Sequence, residues 1–151
     1  MKKIYQILPL VGFFFFVLWL IIEADLNRSN FISEIGHSIP WGDKIGHFSL
    51  FGILALLLNT AIRFRQISIF RRKFHLGSVI VFAFAIAEEF TQIAFSTRTF
   101  DLLDMLFDLV GIGVLSSVAF RKFLVQSLRS IASSLSRSFL LDKKQTLDKS
   151  S

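Results

Sequence analysis

The side chains able to do chemistry fall in three short stretches of an otherwise apolar chain. Asp43, Lys44 and His47 form the first, Glu88, Glu89 and Gln92 the second, and Arg98, Asp101, Asp104 and Asp108 the third. Asp43 and His47 are at i and i+4, Glu89 and Gln92 at i and i+3, and Asp101, Asp104 and Asp108 at i, i+3 and i+7. At helical spacing each set shares one face. Carboxylates, an imidazole and an amide are hard oxygen and nitrogen donors, suited to Mg²⁺, Mn²⁺ or Ca²⁺, or to Zn²⁺ where imidazole dominates. A divalent metal held by Asp43, Asp104 and Asp108 is one expectation. His47, with Asp43 one turn earlier, reads as an oriented general base, and Glu89, Asp101 and Asp104 as further acids or bases. Lys44, Gln92 and Arg98 are placed to bind substrate, the guanidinium gripping an anionic headgroup through two parallel hydrogen bonds. The competing reading is structural, with Lys44 against Asp104, and Arg98 against Asp101 or Glu89, as ion pairs that fix helix register. Carboxylates outnumber cations in these stretches, so mutual pairing alone leaves repulsion for protons, a metal or a cationic ligand to relieve. Glu88 sits about 100° around a helix from Glu89. Glu89 shares a face with Gln92 and is the one expected to point inward.

The elements that position these groups are apolar. Of 151 residues, 53% are hydrophobic, 19 are Phe and only 19% are charged, with no Cys. Soluble domains carry about 25% charged residues. This balance argues against a soluble single-domain enzyme and excludes a disordered chain, and the missing Cys removes disulfide and thiolate chemistry. Apolar residues gather in four blocks, Ile4–Ile22, Ile45–Ile62, Leu76–Phe95 and Leu102–Phe120. About 20 helical residues cross a bilayer core of about 30 Å. The sequence therefore predicts an all-α polytopic membrane protein: a four-transmembrane-helix bundle over 1–122, followed by a cytoplasmic amphipathic helix and a disordered tail over 123–151. The first block follows Lys2 and Lys3 but is longer than a signal h-region and lacks a good cleavage site, so it reads as a retained anchor.

Orientation follows from the cations, which stay on the cytoplasmic side. Lys2, Lys3, the loop cations Arg63, Arg65, Arg71, Arg72 and Lys73, and the cations from Arg121 to Lys149 fall on one side of four spans. Only Arg28, Lys44 and Arg98 fall on the other. Both termini are thus expected in the cytoplasm, and the chemistry-bearing residues in the outer third of the bundle. Charges near the centre of a span cost about 2.5–3.5 kcal/mol each on insertion scales, and groups retained against that cost are usually functional. Gly111 and Gly113 are expected to let helices approach closely.

Asp43-Lys44 with His47, Glu89-x-x-Gln92, Arg98-Thr99, Asp101, Asp104 and Gly111-x-Gly113 appear in order at the mouths of successive spans. This ordered set resembles the VanZ-like family of small bacterial membrane proteins, over roughly Trp41 to Val114. The family usually has Asn where this chain has Asp108, so a role at that position does not transfer. The resemblance implies a place in the bacterial cell envelope, in the cytoplasmic membrane. For the founding members it implies low-level resistance to the glycopeptide teicoplanin. The expected partners are the lipid bilayer and a lipid-linked envelope precursor or anionic headgroup.

Beyond the last block, Leu124, Leu128, Ile131, Leu135 and Phe139 recur at helical spacing among Ser, Arg129 and Arg137. That pattern predicts a basic amphipathic helix on the anionic cytoplasmic leaflet. Lys143–Ser151 is polar and expected to be disordered. The 63–73 loop interleaves Phe64, Ile67, Ile69 and Phe70 with cations, as an interfacial anchor does. No nucleic-acid recognition module accompanies it, and nucleic acid is not an expected partner.

Overall fold

The computed structural model describes residues 4–26, 28, 34, 38–93 and 100–148, the side chains of 4–6, 124, 127 and 130–148 excepted. Among them, helices α1 (Ile4–Asp25), α2 (Gly42–Ala61), α3 (Leu76–Gln92) and α4 (Leu102–Asp148) are joined by two short strands, β1 (Gln66–Ile69) and β2 (Arg72–His75). The chain divides into two compact units, Met1–Ser117 and Val118–Ser151. The first holds the core and all the site residues described below.

Three helices are long and apolar enough to cross a membrane, over Ile7–Asp25, Gly42–Ala61 and Leu102–Phe123. Helix α3 has 17 residues and carries Glu88 and Glu89. It ends at Gln92, short of the Phe95 boundary expected from hydropathy. Helix α1 buries Val17 but exposes Leu8, Phe15 and Trp19, the distribution of a helix with lipid rather than protein around most of it. The core is built from Phe51, Leu54 and Ala55 of α2, Val81 and Ala85 of α3, and Ile112 of α4, with Leu10, Phe13 and Phe14 of α1 packed against it. Phe84 links the layers, its ring 5.7 Å from Phe14 and 5.9 Å from Phe51.

Small residues set the closest approach, though not the pair expected. A Cβ at Gly111 would run into the Phe48 backbone, and one at Gly52 would lie 2.9 Å from the Gly111 carbonyl oxygen. Gly113 meets nothing within 4 Å. The crossing of α2 and α4 therefore rests on Gly52 and Gly111. Gly113 is two residues on, about 200° around the helix, and faces away.

The 63–73 loop departs from an all-α chain by folding into an antiparallel hairpin, with Gln66 opposite His75 and Ile69 opposite Arg72. Gln66-Ile67-Ser68-Ile69 alternates exposed and half-buried residues, the period of a strand. Its two-residue turn, Phe70-Arg71, has φ of 47° and 63°, the left-handed pair that right-twisted hairpins require. Asn-Gly usually fills such a turn; here two bulky residues do, and Phe70 is 97% exposed. Arg63 and Phe64 are also left-handed (φ 57° and 54°) and end α2, the Phe64 N–H donating to the Asn59 carbonyl at 2.7 Å.

An inner polar knot ties three helices of the first unit. Asn59 is fully buried, and its Nδ2 donates to Ser78 Oγ (2.9 Å) on α3 and Ser116 Oγ (3.1 Å) on α4. Gly77 makes room for it, since a Cβ there would stand 2.5 Å from Asn59 Oδ1.

In the second unit the backbone stays helical to Asp148, past the Lys143 at which disorder was expected. Lys143–Leu147 contains no Gly or Pro to stop a helix. The side chains of Leu124, Ile131, Leu135 and Phe139, which would define the amphipathic face, lie outside the described residues.

Candidate functional site

The site forms where the N-terminal turns of α2 and α4 meet the C-terminal turns of α3. Trp41, in the left-handed region (φ 63°), turns the chain into α2 and sets Asp43 in its first turn, where the helix dipole favours an anion. Asp101 caps α4, its Oδ1 accepting the Leu103 N–H at 2.8 Å. The same residue's own N–H donates to Glu89 Oε2 at 3.2 Å, fastening the end of α3 to the start of α4.

Lys44 is the centre of one half of the site. Its Nζ donates to Asp101 Oδ2 (2.8 Å), Asp104 Oδ1 (2.9 Å) and Asp43 Oδ2 (3.1 Å). An ammonium has three donors, and all are engaged. Lys44 and Asp104 are both largely buried (side chains 11% exposed), while Asp43 faces solvent (57%). Lys44 was expected to hold a substrate anion, and Asp43 and Asp104 to hold a metal. In the structure those carboxylates surround the chain's own ammonium instead, the ion pair to Asp104 that the structural reading anticipated. Asp101 lies outside the apolar span. The Lys44 ammonium, and after it the Leu103 N–H, hold its carboxyl below the ordinary carboxylate range.

His47 is the centre of the other half. Its Nδ1 lies 3.1 Å from Oδ1 of Asp108, which is fully buried. The orienting carboxylate is therefore Asp108 and not Asp43, which turns to Lys44. One face of the imidazole stacks on Phe51, with centroids 5.8 Å apart. Nε2 is 3.9 Å from Asp104 Oδ2, which joins the two halves.

Glu88 and Glu89 are both buried, at 4% and 0% exposure. The expectation that only Glu89 faces inward is overturned. Gln92 Nε2 lies between them, 3.0 Å from Glu88 Oε1 and 3.1 Å from Glu89 Oε1. A rotation of about 100° takes a side chain out of a single contact stripe, but α3 ends between two neighbours and both directions stay inside. Glu88 at i and Gln92 at i+4 was the sequence signal for this. One donor atom from each of His47, Glu88 and Glu89 lies within 4.8 Å of the other two, among the described residues.

The structure thus brings together His47, Glu89, Asp101, Asp104, Lys44, Gln92 and Asp108, and adds Glu88. Arg98 lies outside the described residues. Sequence reasoning also missed Asn59, whose signal was one amide in the apolar run Leu56–Ala61. The arrangement joins a satisfied ion cluster around Lys44 to a buried imidazole oriented by one carboxylate and faced by others. No protein-family model, curated protein or solved structure matches the chain.

Proposed function

We propose that the chain is a VanZ-like protein of the bacterial cytoplasmic membrane that acts on a lipid-linked envelope precursor or an anionic lipid headgroup. In this reading α3 is the fourth span, both termini are cytoplasmic, and the polar site opens toward the envelope. The observation that carries it is the His47–Asp108 pair. Asp108 fixes the imidazole through Nδ1 and leaves Nε2 toward Asp104 as the atom that takes a proton from a hydroxyl or water. A paired imidazole and carboxylate buried against Phe51 gain little stability over an apolar pair of the same shape, which argues for retention by function. An apolar groove of about 320 Å³, lined by Leu10 and Phe14 of α1, Leu54 and Leu58 of α2, and Val81 and Phe84 of α3, gives an acyl chain a place beside two of the helices that carry the site.

The test is teicoplanin susceptibility of a sensitive Gram-positive host carrying wild type, His47→Ala or Asp108→Leu, which removes the acceptor on Nδ1, at matched membrane abundance. Protection by the wild type, lost in both variants, is expected. Equal susceptibility of all three and the empty host removes the glycopeptide connection, and equal protection by all three removes His47 as the base.

A second reading is favoured by the Lys44 cluster. A lysine satisfied by three carboxylates is a good register lock, and a non-catalytic binding or assembly subunit needs nothing more. That reading expects Lys44 variants to lose membrane abundance and His47 variants to keep function.

A further inference from the structure

We infer that His47, Glu88 and Glu89 bind one divalent transition-metal ion, Mn²⁺ or Zn²⁺, with Asp108 positioning the imidazole. This goes beyond the reading above and rests on it only for the site's place in the envelope; with an ion bound, His47 is a ligand and no longer the base.

The donor set differs in kind from an acidic cluster. An imidazole nitrogen and two carboxylates suit Zn²⁺ or Mn²⁺ better than Mg²⁺ or Ca²⁺, which prefer oxygen alone. The geometry is near what an ion needs. Donors at about 2.1 Å from a tetrahedral ion stand about 3.4 Å apart, and those of His47, Glu88 and Glu89 lie within 4.8 Å of one another. Closing that difference turns the two carboxylates, each of which can still accept from Gln92 through a second lone pair. The ligands also come from two helices fastened together by Gly52 against Gly111, through α4, and by the Asp101 N–H on Glu89.

Asp108 is the independent observation. It is fully buried, with Oδ1 on His47 Nδ1 and Oδ2 without a hydrogen-bond partner among the described residues. A carboxylate on the far nitrogen of a histidine fixes the tautomer that presents the other nitrogen to a metal. The unmatched oxygen costs free energy in a water-poor interior unless a donor reaches it, and a water polarised by a nearby cation is such a donor.

The test uses the purified full chain in detergent, freed of metal and titrated with Mn²⁺ under electron paramagnetic resonance, with Zn²⁺ as competitor. One Mn²⁺ per chain is expected, displaced by Zn²⁺, with electron-spin-echo modulation from one imidazole nitrogen. That nitrogen signature reads ligation in the wild type and needs no variant to fold. It should vanish in His47→Gln and persist in His75→Gln. Glu89→Gln should abolish saturable binding, Asp108→Asn should weaken it by about 10–100-fold, and Asp43→Asn should leave it unchanged. Absence of saturable Mn²⁺ or Zn²⁺ binding, a missing nitrogen signature, or equal loss in Asp43→Asn and Glu89→Gln overturns the site. Metal binding without protection against teicoplanin keeps the metal and removes the glycopeptide reading; protection without metal binding does the reverse.

Discussion

Lys44 and His47 lie three residues apart on α2, yet they have opposite energetic characters. Lys44 is saturated, so removing it leaves Asp104 buried against no cation. Stranding one partner of a buried ion pair costs about 3–5 kcal/mol. Lys44→Met is therefore expected to lower unfolding stability in detergent by about 3 kcal/mol, and Lys44→Met with Asp104→Leu to recover most of the loss. A neutral Lys44→Met would show that the cluster holds nothing. Asp101 gives a pH signature of definite sign. Its carboxyl is held below the unfolded value of 3.8, so its contribution is complete above that value and disappears as pH falls through the lower folded value. Asn also caps helices, so Asp101→Asn removes the charge and keeps the cap. The stability difference between wild type and Asp101→Asn should be flat from about pH 7 to 5 and close below about pH 4. A difference that grows on acidification would contradict the Lys44 pairing. At this scale the sequence told which residues meet and anticipated the Lys44–Asp104 pair, but not the partner of His47. His47 and Asp43 share a face and invite pairing. The partner is 61 residues away because the α2–α4 crossing, which no spacing rule contains, brings Asp108 nearer.

That crossing is a property of the elements. Gly111 presses on the Phe48 backbone and Gly113 on nothing. Gly111→Ala must separate the helices, and overpacking of this kind costs about 1–3 kcal/mol. Gly113→Ala, with open space and better helix propensity, should be neutral or gain up to about 1 kcal/mol. Thermal melts of the two variants side by side decide it, and equal losses would show that the crossing lies elsewhere. The helices themselves were legible because long apolar runs admit little else. The hairpin was not, because Phe70-Arg71 carries none of the Asn-Gly signal that left-handed turn residues normally give. Its cations read as topology, and its short Gln66–Ile69 alternation was too brief to stand out against them. Glu88 was misplaced for a related reason: a helix end held between two neighbours buries more than one stripe.

For the whole molecule, the apolar composition made a membrane reading legible from the start, and three helices meet the length and hydropathy a span requires. The fourth is harder to read. Helix α3 has 17 residues, at the short end of the length that crosses a bilayer core, and ends in Glu88, Glu89 and Gln92, the groups that make it chemically interesting. Polar residues that build a site also erode the hydropathy that marks a span. Whether α3 crosses decides whether His47, Glu89 and Asp108 open on the envelope side. The chain has no cysteine, so single cysteines report cleanly. Ser38→Cys, Ser68→Cys and Ser96→Cys should be treated in intact cells with a thiol reagent that cannot pass the membrane. Labelling at 38 and 96 with protection at 68 is the predicted result. Labelling at 68, or protection at 96 with labelling at 38, would contradict a four-span protein whose polar site faces outward.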